Sequence, residues 1–187
     1  MFDILGLGCC TVDDLLYVEE FPRADAKTRV LRRERQGGGL TATALVAASR
    51  LGAKCAYGAQ LGRCEYSHYV AENFRRENVD LSHVVWNEDA QPIHSTIIVD
   101  TTHHTRNIFF QIGGAVGAHD ELPSQETIRQ ARVLFLDHYG TTGGIRAAKI
   151  ARKNNIPIVA DFERDNVPRF YELLPLVNHL VVSEKFA

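Results

Sequence analysis

The chain has 187 residues, a formal net charge of −2, 45% hydrophobic and 24% charged residues, the length and make-up of one folded domain, which excludes a disordered or collagen-like chain. Its one dense basic run, at residues 29–35, is broken by Val30, Leu31 and Glu34, so a broad nucleic-acid surface is excluded as well. No apolar segment approaches the ~20 residues of a membrane helix, and Met1-Phe2-Asp3 lacks the basic region of a signal peptide, so no membrane is expected as a partner and the expected address is the cytoplasm.

From the N-terminus, Phe2, Ile4, Leu5 and Leu7 with Gly6 and Gly8 read as a buried strand that ends in small residues before Thr11-Val12-Asp13-Asp14. Leu15-Leu16-Tyr17-Val18 and residues 28–33 read as two short strands of an exposed sheet, joined through a turn at Pro22. After Gly37-Gly38-Gly39, residues 41–51 are rich in Ala and Leu and stop at Gly52, which predicts a glycine-initiated helix of small residues. Residues 55–59 read as a second core strand and residues 65–77 as a helix, with Tyr69, Val70 and Phe74 available for its apolar stripe.

Residues 95–99 and 107–110 are β-branched or aromatic runs around His103-His104-Thr105, a hairpin pattern. Strand, helix and strand then alternate: 133–136, 143–153, 156–160, a short helix at 167–174, and 180–182. Nearly continuous apolar strands between helices predict a parallel sheet covered on both faces. The four cysteines form no C-x-x-C pair, and Cys9-Cys10 falls in a run that reads as strand. Reduced, small apolar fillers are expected, with Cys64 in a loop as the one candidate for reactivity.

Three places could carry chemistry. A glycine run before a helix lets a ligand approach the backbone and the positive helix end, although a simple turn explains it equally well. No G-K-[ST] follows it, and Gly6-Leu7-Gly8 lacks the third glycine of a dinucleotide fingerprint, Thr11 standing there. Asp13 and Asp14 follow the first strand, and Asp161, Glu163 and Arg164 follow a later one, where open α/β sheets bind ligands; each carboxylate could equally cap a turn. The eight histidines lack ligand spacing, so no metal site is expected from them, and Arg75-Arg76 reads as a solvated helix face.

In their order, these pieces resemble the ribokinase, or PfkB, family of carbohydrate kinases. Gly8-Cys9-Cys10-Thr11-Val12-Asp13 is similar to the family's first strand, with Asp13 where a carboxylate holds substrate hydroxyls. Gly38-Gly39-Leu40-Thr41-Ala42-Thr43 is similar to its G-G-x-x-x-N signature, Thr43 replacing the usual asparagine while keeping a hydrogen-bonding hydroxyl. Residues 73–80 resemble a helix that ends in G-V-D, Ser95-Thr96 and Arg106 a strand pair over the substrate, and residues 156–161 an i-P-V-x-x-D strand. Gly37-Gly38-Gly39 and Val182-Ser183-Glu184 are closest to the ketohexokinase and sulfofructose kinase branch. Gly62-Arg63-Cys64-Glu65-Tyr66-Ser67 departs from the frequent G-D-D-x-x-G, and Phe186 takes the position of the N-x-x-E glutamate associated with Mg²⁺.

The resemblance implies an α/β, Rossmann-like (ribokinase-like) three-layer sandwich over residues 1–187. Its sheet would be mostly parallel, under a small β-sheet lid with strands within about 15–35 and 95–110. It implies phosphoryl transfer from ATP, with Mg²⁺, to a primary hydroxyl of a ketose-like sugar. Asp13, Gly38, Gly39, Thr43 and Arg106 would meet the sugar, and Asp161 and Glu184 would lie toward nucleotide and metal.

The family's C-terminal G-A-G-D motif, whose aspartate is the base and whose glycines form the anion hole, is not found in the 187 residues. The sequence also stops directly after a core strand, so a chain cut within the family's fold is expected, inactive alone and with apolar surface exposed near Val181, Val182 and Phe186. Three further readings stay open: a non-catalytic sugar-binding module, a homodimer formed through the lid sheet, and an adenosine-type nucleoside kinase.

Overall fold

The computed structural model describes residues 1–184 and 186. In chain order the elements are β1 Phe2–Leu7, β2 Thr11–Val18, β3 Arg32–Gly38, α1 Leu40–Arg50, β4 Cys55–Tyr57, β5 Gln60–Leu61, α2 Glu65–Arg76, β6 Val85–Trp86, β7 Ile93–Asp100 and β8 Thr105–Gln111. They continue with α3 Gln125–Arg129, β9 Ala131–Asp137, α4 Thr141–Lys153, β10 Ile158–Phe162, α5 Phe170–Leu173 with a 3-10 turn at Leu174–Leu176, and β11 His179–Val182. The fold is of the α/β class.

The central sheet runs β11-β10-β9-β1-β4, all parallel. From β1 the chain returns to one neighbour, β4, through α1, whereas β9, β10 and β11 step toward the opposite edge. Right-handed crossovers in opposite directions place their helices on opposite faces. Strand alternation accordingly divides the apolar residues. Leu5, Leu7, Leu134, Leu136 and Ile158 pack with Ile128 of α3 and Ile145, Ala147 and Ala148 of α4. Tyr57 and Cys55 pack on the other face with Leu45 of α1 and Val70 and Phe74 of α2.

Each buried Leu, Ile, Val or Phe among these contributes about 1.5–3 kcal/mol. In α2 the buried set Ser67, Val70, Ala71 and Phe74 follows helical spacing. Gly6 keeps the sheet close to α1, because a Cβ there would meet Leu45 Cδ1 at 2.7 Å.

A second, mixed sheet runs β3-β2-β7-β8: β2 pairs parallel with β7, and the two outer pairings are antiparallel. It stands over the carboxyl ends of the central strands as the lid. β5 and β6 form a separate two-stranded piece.

Several boundaries differ from the sequence expectation. Cys9 and Cys10 are not strand; with Gly8 they form the crossing from β1 into the lid. Gly37 and Gly38 are the last two residues of β3, paired with Val12 and Thr11, so only Gly39 is the turn, at φ 98°. β5, β6 and α3 were not expected, since two to five residues carry too little periodicity. Of the expected exposed apolar residues, Val181 is 51% exposed, but Val182 and Phe186 pack against the core, Phe186 edge-on to Phe170 at 6.2 Å.

Candidate functional site

The strand order reverses at β1 and β9, and the crevice beyond such a reversal is where open α/β sheets take ligands. An open cleft of about 1410 Å³ lies there between the central sheet and the lid. Its lid wall is one face of the small sheet: Thr11, Asp13, Leu15 and Tyr17 of β2, Ser95, Ile97 and Val99 of β7, and Arg106, Ile108 and Phe110 of β8. Cross-strand register places Val99 beside Arg106, Ile97 beside Ile108 and Ser95 beside Phe110, so these side chains share a face. The wall is polar near the crossing from β1 and apolar toward the far strand.

Asp13 is on β2, in the lid, not at the end of β1. Thr11 Oγ1 donates to Asp13 Oδ1 at 2.9 Å, which leaves the other carboxylate oxygen for a ligand. Gly38 abuts this pair: a Cβ there would stand 2.4 Å from Asp13 Oδ2 and 2.6 Å from Thr11 Oγ1. Gly39 is held equally closely, with Cys10 Cα 2.7 Å from where its Cβ would be. Helix α1 has no side-chain cap, and Thr43, in its first turn, lines the cleft. Backbone at Gly38 and Gly39 is therefore bare toward the cleft beside a helix N-terminus, with a carboxylate and a hydroxyl on either side.

Asp14, the neighbour in sequence, lies on the far face of the lid. Its carboxylate takes Arg35 Nε at 2.6 Å and Arg35 Nη2 at 2.9 Å and pairs with His94 Nε2 at 2.8 Å. Those partners, Arg35 first, hold it down to about 2. Arg35 also reaches Glu65 of α2 at 2.9 Å, and Tyr66 stacks on His94 at 4.6 Å, so the lid is latched to α2. His103 contacts the Asp100 carboxylate at 3.0 Å, a local bond at the hairpin turn.

Across the cleft, Asp161, the penultimate residue of β10, lines the cavity with Glu163 and Arg164. Burial first, then the Glu163 charge, pushes the Asp161 carboxyl up. Arg164 donates to Tyr139 Oη at 2.8 Å and stands 5.8 Å from the Phe110 ring centroid, so it spans from the central sheet to the lid. Six of the seven expected site residues, Asp13, Gly38, Gly39, Thr43, Arg106 and Asp161, thus line one cleft. Glu184 is exposed beyond β11 and is not among its lining residues.

Asp137 was missed. It ends β9, is 1% exposed, and accepts from Cys9 N–H at 2.7 Å, Thr41 Oγ1 at 2.7 Å and Tyr139 N–H at 2.8 Å. Burial pushes its carboxyl up to about 6 against those bonds. The signal was the one that drew attention to Asp161: an acidic residue closing an apolar strand of the parallel sheet.

A family model described as pfkB family carbohydrate kinase matches residues 1–185. Ketohexokinase of Mus musculus is 30% identical over 105 residues, 56% of this chain and 35% of the relative. Nucleoside kinase of Methanothermobacter thermautotrophicus is 22% identical over 150 residues, 80% of this chain and 48% of the relative. The chain therefore spans about half or less of these relatives. The structure of Arabidopsis thaliana ribokinase complexed with ribose and ATP matches with a TM-score of 0.79 at 18% identity, over 98% of this chain and 61% of that one.

Proposed function

Because the chain belongs to the pfkB family of carbohydrate kinases, whose model spans residues 1–185, we propose that it is the sugar-binding part of an ATP-dependent kinase acting on a primary hydroxyl of a ketose-like sugar. The observation that carries this reading is the Asp13 carboxylate, turned into the cleft, steadied by Thr11 and flanked by bare glycine backbone. An ionised carboxylate accepts two hydroxyls at once, the pattern of a sugar diol, and charge-assisted bonds of this kind are the strong ones. Gly38 and Gly39 let the sugar approach the backbone, Thr43 offers a further hydroxyl, and Arg106 contacts the sugar from the lid. Similarity to the ketohexokinase of Mus musculus supports the ketose reading.

Phosphoryl transfer needs charge compensation on the transferring group and placement of the attacking oxygen. Asp161 and Glu163, which line the cleft with hard oxygen donors, would face a magnesium ion there. Bound Mg-ATP would supply the phosphoryl group and the countercharge. This chain's own residues bind and orient the acceptor. The base and the anion hole are assigned to the part of the family's length that these residues do not span. Buried, free Cys9, Cys10 and Cys55 fit a reducing compartment, and the cytoplasm is the proposed location. No described helix is long and apolar enough to cross a membrane.

The test is calorimetric titration with fructose, ribose and adenosine, repeated with Asp13→Ala. Fructose should bind best, and the variant should lose about a hundredfold in affinity, the worth of two hydrogen bonds to a charged group. Unchanged affinity in the variant would sink the assignment of Asp13. Preferred binding of adenosine would move the protein to the nucleoside-kinase reading, which the Methanothermobacter thermautotrophicus similarity favours.

A further inference from the structure

The chain leaves the central sheet for the lid at Gly8-Cys9-Cys10 and comes back at Gly38-Gly39. The two crossings lie against each other. A Cβ on Gly39 would be 2.8 Å from Cys9 O, and Ala42 N–H, in the first turn after the return, donates to Cys9 O at 3.2 Å. The next entry into the lid joins them, with Ile93 N–H donating to Cys10 O at 3.1 Å. Whatever holds these crossings sets the angle at which β2 and β3 leave the body.

One buried side chain holds both. Asp137 Oδ2 accepts from Cys9 N–H on the outward crossing and from the Thr41 hydroxyl just past the return, each at 2.7 Å. Its Oδ1 is anchored by Tyr139 N–H at 2.8 Å, so the carboxylate is fixed to the end of β9. Gly8 makes room for it: a Cβ there would lie 2.2 Å from Asp137 Oδ2. The group itself is not among the residues that line the cleft. A carboxylate kept from water is costly unless it is fully hydrogen-bonded, and here three donors from three separate segments, the outward crossing, the first turn of α1 and the turn after β9, converge on it. An apolar residue at this place would leave Cys9 N–H and Tyr139 N–H without an acceptor.

We propose that Asp137 is a positioning residue for the sugar site, clamping the outward and returning crossings together so that the lid strands carry Asp13 and Gly38 in register over the cleft. Its effect on binding rests on the sugar-site reading above; its effect on the lid does not.

The experiment uses the protein expressed from its complete reading frame, with hydrogen exchange read by mass spectrometry and fructose and ribose titrated by calorimetry. In Asp137→Asn one acceptor becomes a donor facing a backbone N–H, and in Thr41→Val one donor is lost while the carboxylate stays. Amides of residues 11–18 and 32–38 should exchange about tenfold faster in both, with the β9 and β10 amides unchanged and sugar affinity down by about tenfold. Thr41→Ser, which keeps the hydroxyl, should restore the original exchange.

If Asp137→Asn does not fold, the Thr41 pair decides. If the unaltered protein binds neither sugar, the sugar reading falls and lid exchange still decides the clamp. Unchanged lid exchange in a folded variant, or equal acceleration in lid and central sheet, would overturn it.

Discussion

Successive residues of a strand face opposite ways, and Asp13 and Asp14 show what that does to chemistry. The first points into the cleft with one free oxygen, and the second is spent on Arg35 and His94. Sequence reading placed both after a strand but could not tell their faces, because the register of β2 depends on its pairing with β3 and β7. The pairing makes a pH prediction possible. Asp14 is held to about 2, below its ordinary value of 3.8, so its contribution is complete above about pH 4 and is lost as pH falls toward 2. Its side chain is 29% exposed, so screening keeps the contribution near about 1 kcal/mol. Asp14→Asn should lower stability by that amount at neutral pH and flatten the acid limb of denaturant unfolding between pH 4 and 2. An acid limb identical to that of the unaltered protein would refute this.

At the level of elements, composition carried much of the assignment. The Ala-rich run that became α1, the helical spacing of α2 and the apolar runs of β9 and β10 need only local patterning to be read. The glycine run was harder. Glycines suggest a loop, yet Gly37 and Gly38 complete β3, and their lack of side chains serves close neighbours: Asn73 on one side, Asp13 and Thr11 on the other. Only Gly39 needs glycine for its backbone, at φ 98° with Cys10 Cα against it. Gly39→Ala should therefore destabilise the protein by about 1–3 kcal/mol, measurable as an earlier denaturant midpoint. Gly52→Ala offers a contrast, because nothing lies near its Cβ and only its φ of 95° is strained. The Gly39 change should cost more, and equal losses at the two sites would contradict the close-approach argument.

For the molecule as a whole, the lid is the open question of assembly. Its cleft face is apolar toward β8, where Ile108 is 48% and Phe110 54% exposed, and β8 is an edge strand. Edge strands and exposed apolar faces are commonly covered by a partner. We propose that a second copy covers the lid. Light scattering should give twice the chain mass, and Ile108→Glu should return it to the monomer. A monomer at micromolar concentration before the change would remove the dimer from consideration. A charge inside such an interface is opposed by desolvation, so the substitution acts strongly only if the face is buried in the assembly.

What the sequence determined by itself was whatever is local or ordered along the chain: the α/β class, the helices and strands from β9 onward, and the family resemblance carried by Asp13, Gly38-Gly39 and residues 156–161. These follow from periodicity, glycine placement and motif order, none of which requires knowing which residues meet in space. What only the tertiary structure decided was facing and convergence. Folding put Asp13 in the cleft and Asp14 outside, left Glu184 apart from the other candidates, and brought Cys9, Thr41 and Tyr139, up to 130 residues apart, onto one buried carboxylate. Such contacts depend on strand register and crossover direction, and the side chains that make them carry no mark of it in the sequence.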